Sequence, residues 1–280
     1  AIFSPRLNVR YSPTPFIGLR AGYSTGFRAP QAFDEDLHVT AVGGEVSIIR
    51  LAPDLKEERS NTVNFSADFY NAFGAVQTNL LIEGFYTHLK DVFLLEKIGK
   101  DDQDNLLLER RNGSGAVVKG INIEGKIVPN RSLRFQMGAT FQKSTYDEPE
   151  VWSDNENIAP QRRMFRTPDQ YGYFTANYSM KEKLNFSLSG IYTGSMLVQH
   201  FAGFIPEDTE VVTSSFFDLS FKMAYNFKPV SNTRLQLNAG VQNIFNSYQN
   251  DFDQGPLRDS GYIYGPSLPR TFFAGLKFSL

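Results

Sequence analysis

Apolar and polar residues alternate with a period of two along much of this chain. Val63, Phe65, Ala67 and Phe69 interleave with Thr62, Asn64, Ser66 and Asp68, and Leu133, Phe135, Met137, Ala139 and Phe141 with Arg134, Gln136, Gly138, Thr140 and Gln142. The same rhythm returns at Leu184–Leu188, Phe217–Met223, Leu235–Val241 and Phe272–Leu280. A strand points successive side chains to opposite faces, so each segment presents one apolar and one polar face. No segment carries a convincing helical pattern beyond a few turns. Reading every such run predicts about eleven strands, at 2–13, 15–25, 57–73, 75–97, 104–129, 131–146, 165–180, 182–199, 213–229, 231–249 and 267–280.

The connections sharpen the reading. Short ones fall at Ser12–Pro15, Phe73–Ala75, Pro129–Arg131, Met180–Glu182 and Lys228–Asn232, all rich in turn-forming residues. Long polar ones lie between them at 25–57, 97–104, 146–165, 199–213 and 249–267. Outer-membrane barrels place short turns on the periplasmic side and long loops outside, so the alternation assigns a topology. The fold class it predicts is an all-β, antiparallel transmembrane β-barrel. A soluble sandwich or propeller is the competing architecture, but its strands are usually five or six residues long, and several here exceed about fifteen.

Composition supports the barrel. With 41% hydrophobic residues and a mean hydropathy of -0.31, the sequence lacks the long apolar runs of a helical membrane protein, whereas a barrel hides its hydrophobicity in alternation. Aromatics make up 14% of residues, which suits interfacial girdles. The absence of cysteine removes disulfides, thiolate metal sites and thiol nucleophiles. A net charge of -2 with no concentrated basic stripe argues against a nucleic-acid partner. No signal peptide is legible at Ala1–Ser4, and an odd strand count does not suit a bacterial single-chain barrel. Residues 1–280 are therefore expected to be the C-terminal half of a larger barrel.

Several motifs, taken in order, carry a family resemblance. Gly26-Phe27-Arg28-Ala29-Pro30 is followed by Ala52-Pro53-Asp54-Leu55-Lys56-Glu57-Glu58. Asn112-Gly113 then leads to Gly120-Ile121-Asn122-Ile123-Glu124-Gly125, Arg166-Thr167-Pro168 opens a later strand, and Val241-Gln242-Asn243-Ile244-Phe245-Asn246 precedes Gly265-Pro266 and Arg270-Thr271-Phe272. This series resembles the TonB-dependent outer-membrane receptors over most of the chain. It departs from their pattern at Ala52, where Asn is usual, after Lys56, where Pro is usual, and at Leu280, where Phe is usual.

The resemblance implies a barrel of about 22 strands, closed by an N-terminal plug, in the outer membrane of a Gram-negative bacterium. Its implied function is import of a metal complex energised by the TonB complex, with heme or a ferric siderophore as the first expectation and cobalamin as the alternative. Expected partners are the missing plug and barrel half, TonB, the lipid bilayer, lipopolysaccharide and a surface lipoprotein. No intrinsic cofactor is expected, and the segment alone should not transport. A passive porin or adhesin would share the strands and loops but not the motifs.

Candidate ligand contacts are loop residues. Heme receptors of the family carry a histidine between the two boxes, where His38 lies in this chain, and a neutral imidazole is a good iron ligand, so His38 is the metal ligand if heme is the cargo. His200, beside Phe201 and Phe204, is the second candidate, while His88 shares parity with Leu80, Ile82 and Tyr86 and reads as an outward structural residue. Arg28, Arg110, Arg111, Arg162, Arg163 and Arg166 could line a vestibule for an anionic complex, since guanidinium binds carboxylates bidentately; each also suits a lipopolysaccharide contact or a lumenal ion pair. Tyr171, Tyr192, Tyr262 and Tyr264 offer stacking surface or girdle positions. Asp101-Asp102-Gln103-Asp104 has hard ligands for Ca²⁺ but not the spacing of a calcium loop. No serine motif accompanies His88, so the chain is not expected to be an enzyme.

Overall fold

A computed structural model describes residues 3–30, 47–103, 106–181, 183–227, 233–259 and 261–279. Among the described residues there are seventeen strands: β1 (Arg6–Thr14), β2 (Ile17–Arg28), β3 (Ser47–Leu51), β4 (Glu58–Phe73), β5 (Val76–Lys90), β6 (Phe93–Lys100), β7 (Leu106–Asn112), β8 (Gly115–Asn130), β9 (Leu133–Glu150), β10 (Gln161–Arg163), β11 (Gln170–Met180), β12 (Leu184–Thr193), β13 (Leu197–His200), β14 (Thr209–Val212), β15 (Phe216–Phe227), β16 (Arg234–Gln242) and β17 (Thr271–Ser279). Eleven of them form one sheet in the order β1-β2-β4-β5-β8-β9-β11-β12-β15-β16-β17, each antiparallel to the next, with β10 added to β9. The sheet is open among the described residues, with β1 and β17 at its edges.

The eleven expected strands are thus the eleven of the main sheet, in sequence order, and the turn asymmetry is present. Phe73 pairs with Val76 across Gly74-Ala75, where Gly74 takes a left-handed φ of 63° that suits glycine. At the turn from β8 to β9, the Asn130 side chain accepts hydrogen bonds from the backbone N–H groups of Ser132 and Leu133.

Several strand ends differ from expectation, all at the loop end of the sheet. The segment 75–97 breaks at Asp91, which has a φ of 55°, and 104–129 breaks before Gly115, with a φ of 145°. Between them β6 and β7 form a hairpin, and β3 joins β7 in parallel to give a separate three-stranded sheet. The strand expected at 165–180 begins only at Gln170, because Arg166 has a φ of 57° and Pro168 follows. That expected at 182–199 stops at Thr193, since Gly194 turns to donate its N–H to the carbonyl of Gln170. The strand expected at 231–249 stops at Gln242, because Asn243 takes a φ of 50°.

Residues directly opposite one another share a face, and this extends the sequence alternation across the sheet. Phe65 lies opposite Gly84, which lies opposite Ile121, which lies opposite Phe141. Among the described residues no second layer of structure covers this apolar face: Phe65 and Met137 are 56% exposed and Phe272 74%. A sandwich would bury these side chains, so the architecture is that of a barrel wall. The opposite face is polar and internally bonded. Glu83 accepts from the amides of Asn64 and Asn122, and Thr140 donates to Asn122, a ladder crossing four strands. The buried hydrophobic cluster lies instead among the loops, where Met196, Val198 and Tyr262 pack with Val211 and Tyr264.

Candidate functional site

The long loops gather into two groups at one end of the sheet. In the first, the sequence motifs that are far apart in the chain converge. The Asn112 side chain accepts from the Lys56 N–H at 2.8 Å and donates to the carbonyls of Lys56 and Asp91. The Ala52 N–H donates to the Arg110 carbonyl, and the Gly113 N–H to that of Val92. Glu58 accepts both the guanidinium of Arg28 at 2.9 Å and the Phe93 N–H at 3.2 Å. Arg28 also stands 4.8 Å over the ring of Phe93. Its charge is therefore engaged by a carboxylate and an aromatic face.

The second group unites the loops β9–β11, β12–β15 and β16–β17. Its centre is His200, only 7% exposed, whose Nε2 lies 3.0 Å from both carboxylate oxygens of Asp253. An ionised carboxylate offers only acceptors, so Nε2 carries the hydrogen. The His200 ring stacks on Tyr262 at 3.6 Å and 8°. The hydroxyls of Tyr262 and Tyr264 both donate to Asp251. Burial, with the Asp251 charge adding to it, pushes the Tyr262 phenol up from 10.0 to about 12 and raises Tyr264 as well. Beneath them Gln249, 1% exposed, donates to the Tyr262 carbonyl at 3.0 Å and accepts from the Tyr264 and Gly265 N–H groups.

The neighbouring loops are braced onto this cluster. Arg166 donates to the carbonyls of Ile263 and Gly261, tying β9–β11 to β16–β17. Trp152 meets Phe165 and Phe201 edge-on at 5.6 Å each and donates its Nε1–H to Glu210 at 3.0 Å. Asp208 accepts from the hydroxyl of Ser153 and the Ala202 N–H, and Asp259 from the Phe201 N–H. The result is a roof of three cross-bonded loops.

Of the residues singled out from sequence, His200 and Tyr262 come into direct contact, with both side chains turned into the roof's interior. In this arrangement the His200 Nε2 is committed to Asp253. Arg163, on the short strand β10, pairs with Asp169 at 3.1 Å, and Arg162 beside it is exposed. Arg28 belongs to the other loop group. His38 and Asp104 lie outside the described residues. His88 keeps the apolar-face parity and reaches Asp147 at 2.9 Å. Tyr192, opposite Phe217, lies on the apolar face and Tyr171 on the polar one. Among the described residues, no group of three or more His, Cys, Asp or Glu side chains is placed to hold a metal ion. Trp152, Gln249, Asp251 and Asp253 were not singled out. The one available signal was a lone Trp, with alternating Asp and Tyr residues, inside otherwise polar loops.

Comparison with known proteins agrees with this geometry. The model of the TonB dependent receptor-like β-barrel family matches residues 1–244. No curated protein matches. Among solved structures, a mutant of the ferric enterobactin receptor PfeA from Pseudomonas aeruginosa is similar at 17% identity and a TM-score of 0.63, over 99% of this chain and 40% of that one. The ferric-catecholate import receptor Fiu from E. coli is similar at 18% identity and a TM-score of 0.61, over 98% and 34%. The siderophore receptor PirA from Acinetobacter baumannii is similar at 16% identity and a TM-score of 0.63, over 99% and 41%. The chain thus spans about two fifths or less of the length of these three structures, and at such identities the likeness shows the fold. Taken with the family match over most of its length, the chain belongs to the TonB-dependent receptor β-barrel family.

Proposed function

We propose that this chain is the C-terminal part of an outer-membrane receptor barrel that imports an iron complex, a ferric siderophore or heme, with energy from the TonB complex. The reading rests chiefly on one observation: three loops that are far apart in sequence are cross-bonded into a roof at the loop end of a rigid sheet. Loops held on a stiff frame are where binding specificity resides. Similarity to structures of ferric enterobactin and ferric-catecholate receptors supports an iron complex as cargo. The exposed Arg162 would supply positive charge toward carboxylates or catecholates of the cargo. The plug, the remaining barrel strands and TonB are the partners this function requires, and the task is capture and transport without bond chemistry.

The test is titration of the full-length receptor containing this segment with hemin, a panel of ferric siderophores and cyanocobalamin, with His38→Ala alongside. Saturable binding of hemin or a ferric siderophore, with TonB-dependent uptake of the same complex, is expected. A Soret shift lost in His38→Ala would identify heme, and a siderophore bound equally by both proteins would identify a siderophore. Binding of cyanocobalamin alone would overturn the proposal.

A further inference from the structure

Asn112-Gly113 is the one Asn-Gly pair in the 280 residues. Asparagine is chemically labile, and glycine is the least hindered neighbour it can have on its C-terminal side. The structure calls for both at once. Asn112 closes the first loop group with three hydrogen bonds, accepting from the Lys56 N–H at 2.8 Å and donating to the carbonyls of Asp91 at 2.8 Å and Lys56 at 3.1 Å. A side-chain amide supplies an acceptor and two donors on one planar group, as this junction of three segments needs. At position 113 a Cβ would stand 2.8 Å from Cγ of Leu94, so the close approach of β6 favours glycine.

The same geometry holds the pair unreactive. Deamidation begins when the backbone nitrogen of Gly113 attacks Cγ of Asn112. Here that nitrogen donates its hydrogen to the Val92 carbonyl at 2.7 Å, and Asn112 is the last residue of β7, paired with Phe93 of β6. Its amide turns toward Gly113 only by leaving Lys56 and Asp91. Local opening of this loop group releases all of these restraints together. Asn112 is half-buried, so water reaches it once the group has opened.

We propose that Asn112 is a self-modifying site whose deamidation is gated by the first loop group. When the group opens, a bond forms between the Gly113 nitrogen and Asn112 Cγ, the Cγ–Nδ2 bond breaks, and the Gly113 hydrogen departs with Nδ2 as ammonia. Water then opens the resulting succinimide to aspartate or isoaspartate. Either product is a carboxylate, which has acceptors only. It meets the carbonyls of Asp91 and Lys56 with no hydrogen to give, and the isoaspartate form also lengthens the backbone just before Gly113. The group then closes poorly, so the reaction both records an opening and prolongs it. This holds whatever the cargo is.

The experiment incubates the full-length receptor containing this segment at mildly alkaline pH, folded in detergent or unfolded in urea, beside the folded Glu58→Ala variant, and maps peptides spanning 112–113 by mass spectrometry. Glu58 accepts from Arg28 and from the Phe93 N–H, so its loss loosens the same loop group while leaving Asn112 and Gly113 as they are. The unfolded chain is expected to deamidate at Asn112 at least about tenfold faster than the folded parent, with Glu58→Ala between them. Asn112→Asp reproduces one product, and hydrogen exchange at the Ala52 and Gly113 amides should run roughly tenfold faster in it, as the loss of two donated hydrogen bonds implies. Deamidation of the folded parent as fast as the unfolded chain, or of Glu58→Ala no faster than the parent, would overturn the gating. An unfolded chain that stays intact at Asn112 would overturn the chemistry, and parent-like exchange in Asn112→Asp would overturn the effect of the product. Neither readout involves cargo uptake, which keeps this test separate from that of the transport reading.

Discussion

Replacing Gln249 by alanine should open the loop roof without melting the barrel. The Gln249 amide serves three backbone groups at once, donating to the Tyr262 carbonyl at 3.0 Å and accepting from the N–H groups of Tyr264 at 2.8 Å and Gly265 at 3.2 Å. At 1% exposure, water does not replace these partners unless the segment moves. Each lost bond to a buried group costs about 1 kcal/mol, so the roof loses about 3 kcal/mol. That corresponds to a rise of roughly 150-fold in the population of the open loop. Hydrogen exchange on the full-length receptor reads this directly at Tyr264 and Gly265, since local opening governs exchange there. Gln249→Met keeps the volume and removes the hydrogen bonds, so it should exchange nearly as fast as the alanine variant. Exchange in Gln249→Ala within about threefold of the parent would refute the reasoning.

Alkaline pH should loosen the same roof. The Tyr262 phenol is held up at about 12 in the folded loops and titrates near 10 once exposed. A raised folded-state value means that its contribution is complete below pH 10 and is lost as pH rises through about 12. Tyrosinate absorbance should therefore appear late in the parent, and Tyr262→Phe should diminish that late component, leaving the share of Tyr264; an unchanged titration in the variant would exclude the assignment. On the polar face, Glu83→Leu leaves the amides of Asn64 and Asn122 without their shared acceptor. Urea unfolding of the full-length receptor should show a loss of about 1–2 kcal/mol, and an unchanged midpoint would show the ladder to be dispensable.

The sheet was legible because a barrel wall writes itself locally. Alternation fixes each strand and its face, and turn residues fix the short connections, so the order β1 to β17 of the main sheet needed no long-range information. The loop ends were not legible for the same reason. Asp91 and Asn243 end their strands, and Arg166 delays the start of β11, by adopting positive φ, which is uncommon for residues other than glycine and depends on contacts made elsewhere. The candidate site shows the same divide. His200 and Tyr262 could be noticed as chemistry-bearing types, but their stacking, and the capture of His200 by Asp253, join residues 53 or more apart in sequence. The β6–β7 hairpin was hidden because its strands nearly run on from their neighbours: only Asp91 and Val92 separate β5 from β6, and only Gly113 and Ser114 separate β7 from β8.

Several of the braces that shape the loops end on backbone atoms: Arg166 on two carbonyls and Asp259 on an N–H of neighbouring loops, Gln249 on one carbonyl and two N–H groups and Asp208 on an N–H of their own loops. Every residue type except proline offers the same backbone groups. The positions that receive these braces can therefore change side chain with little disturbance to the loop's shape, provided the few bracing residues stay. A receptor built this way can drift toward a different cargo by altering what its loops display, while inheriting unchanged the means by which they are held.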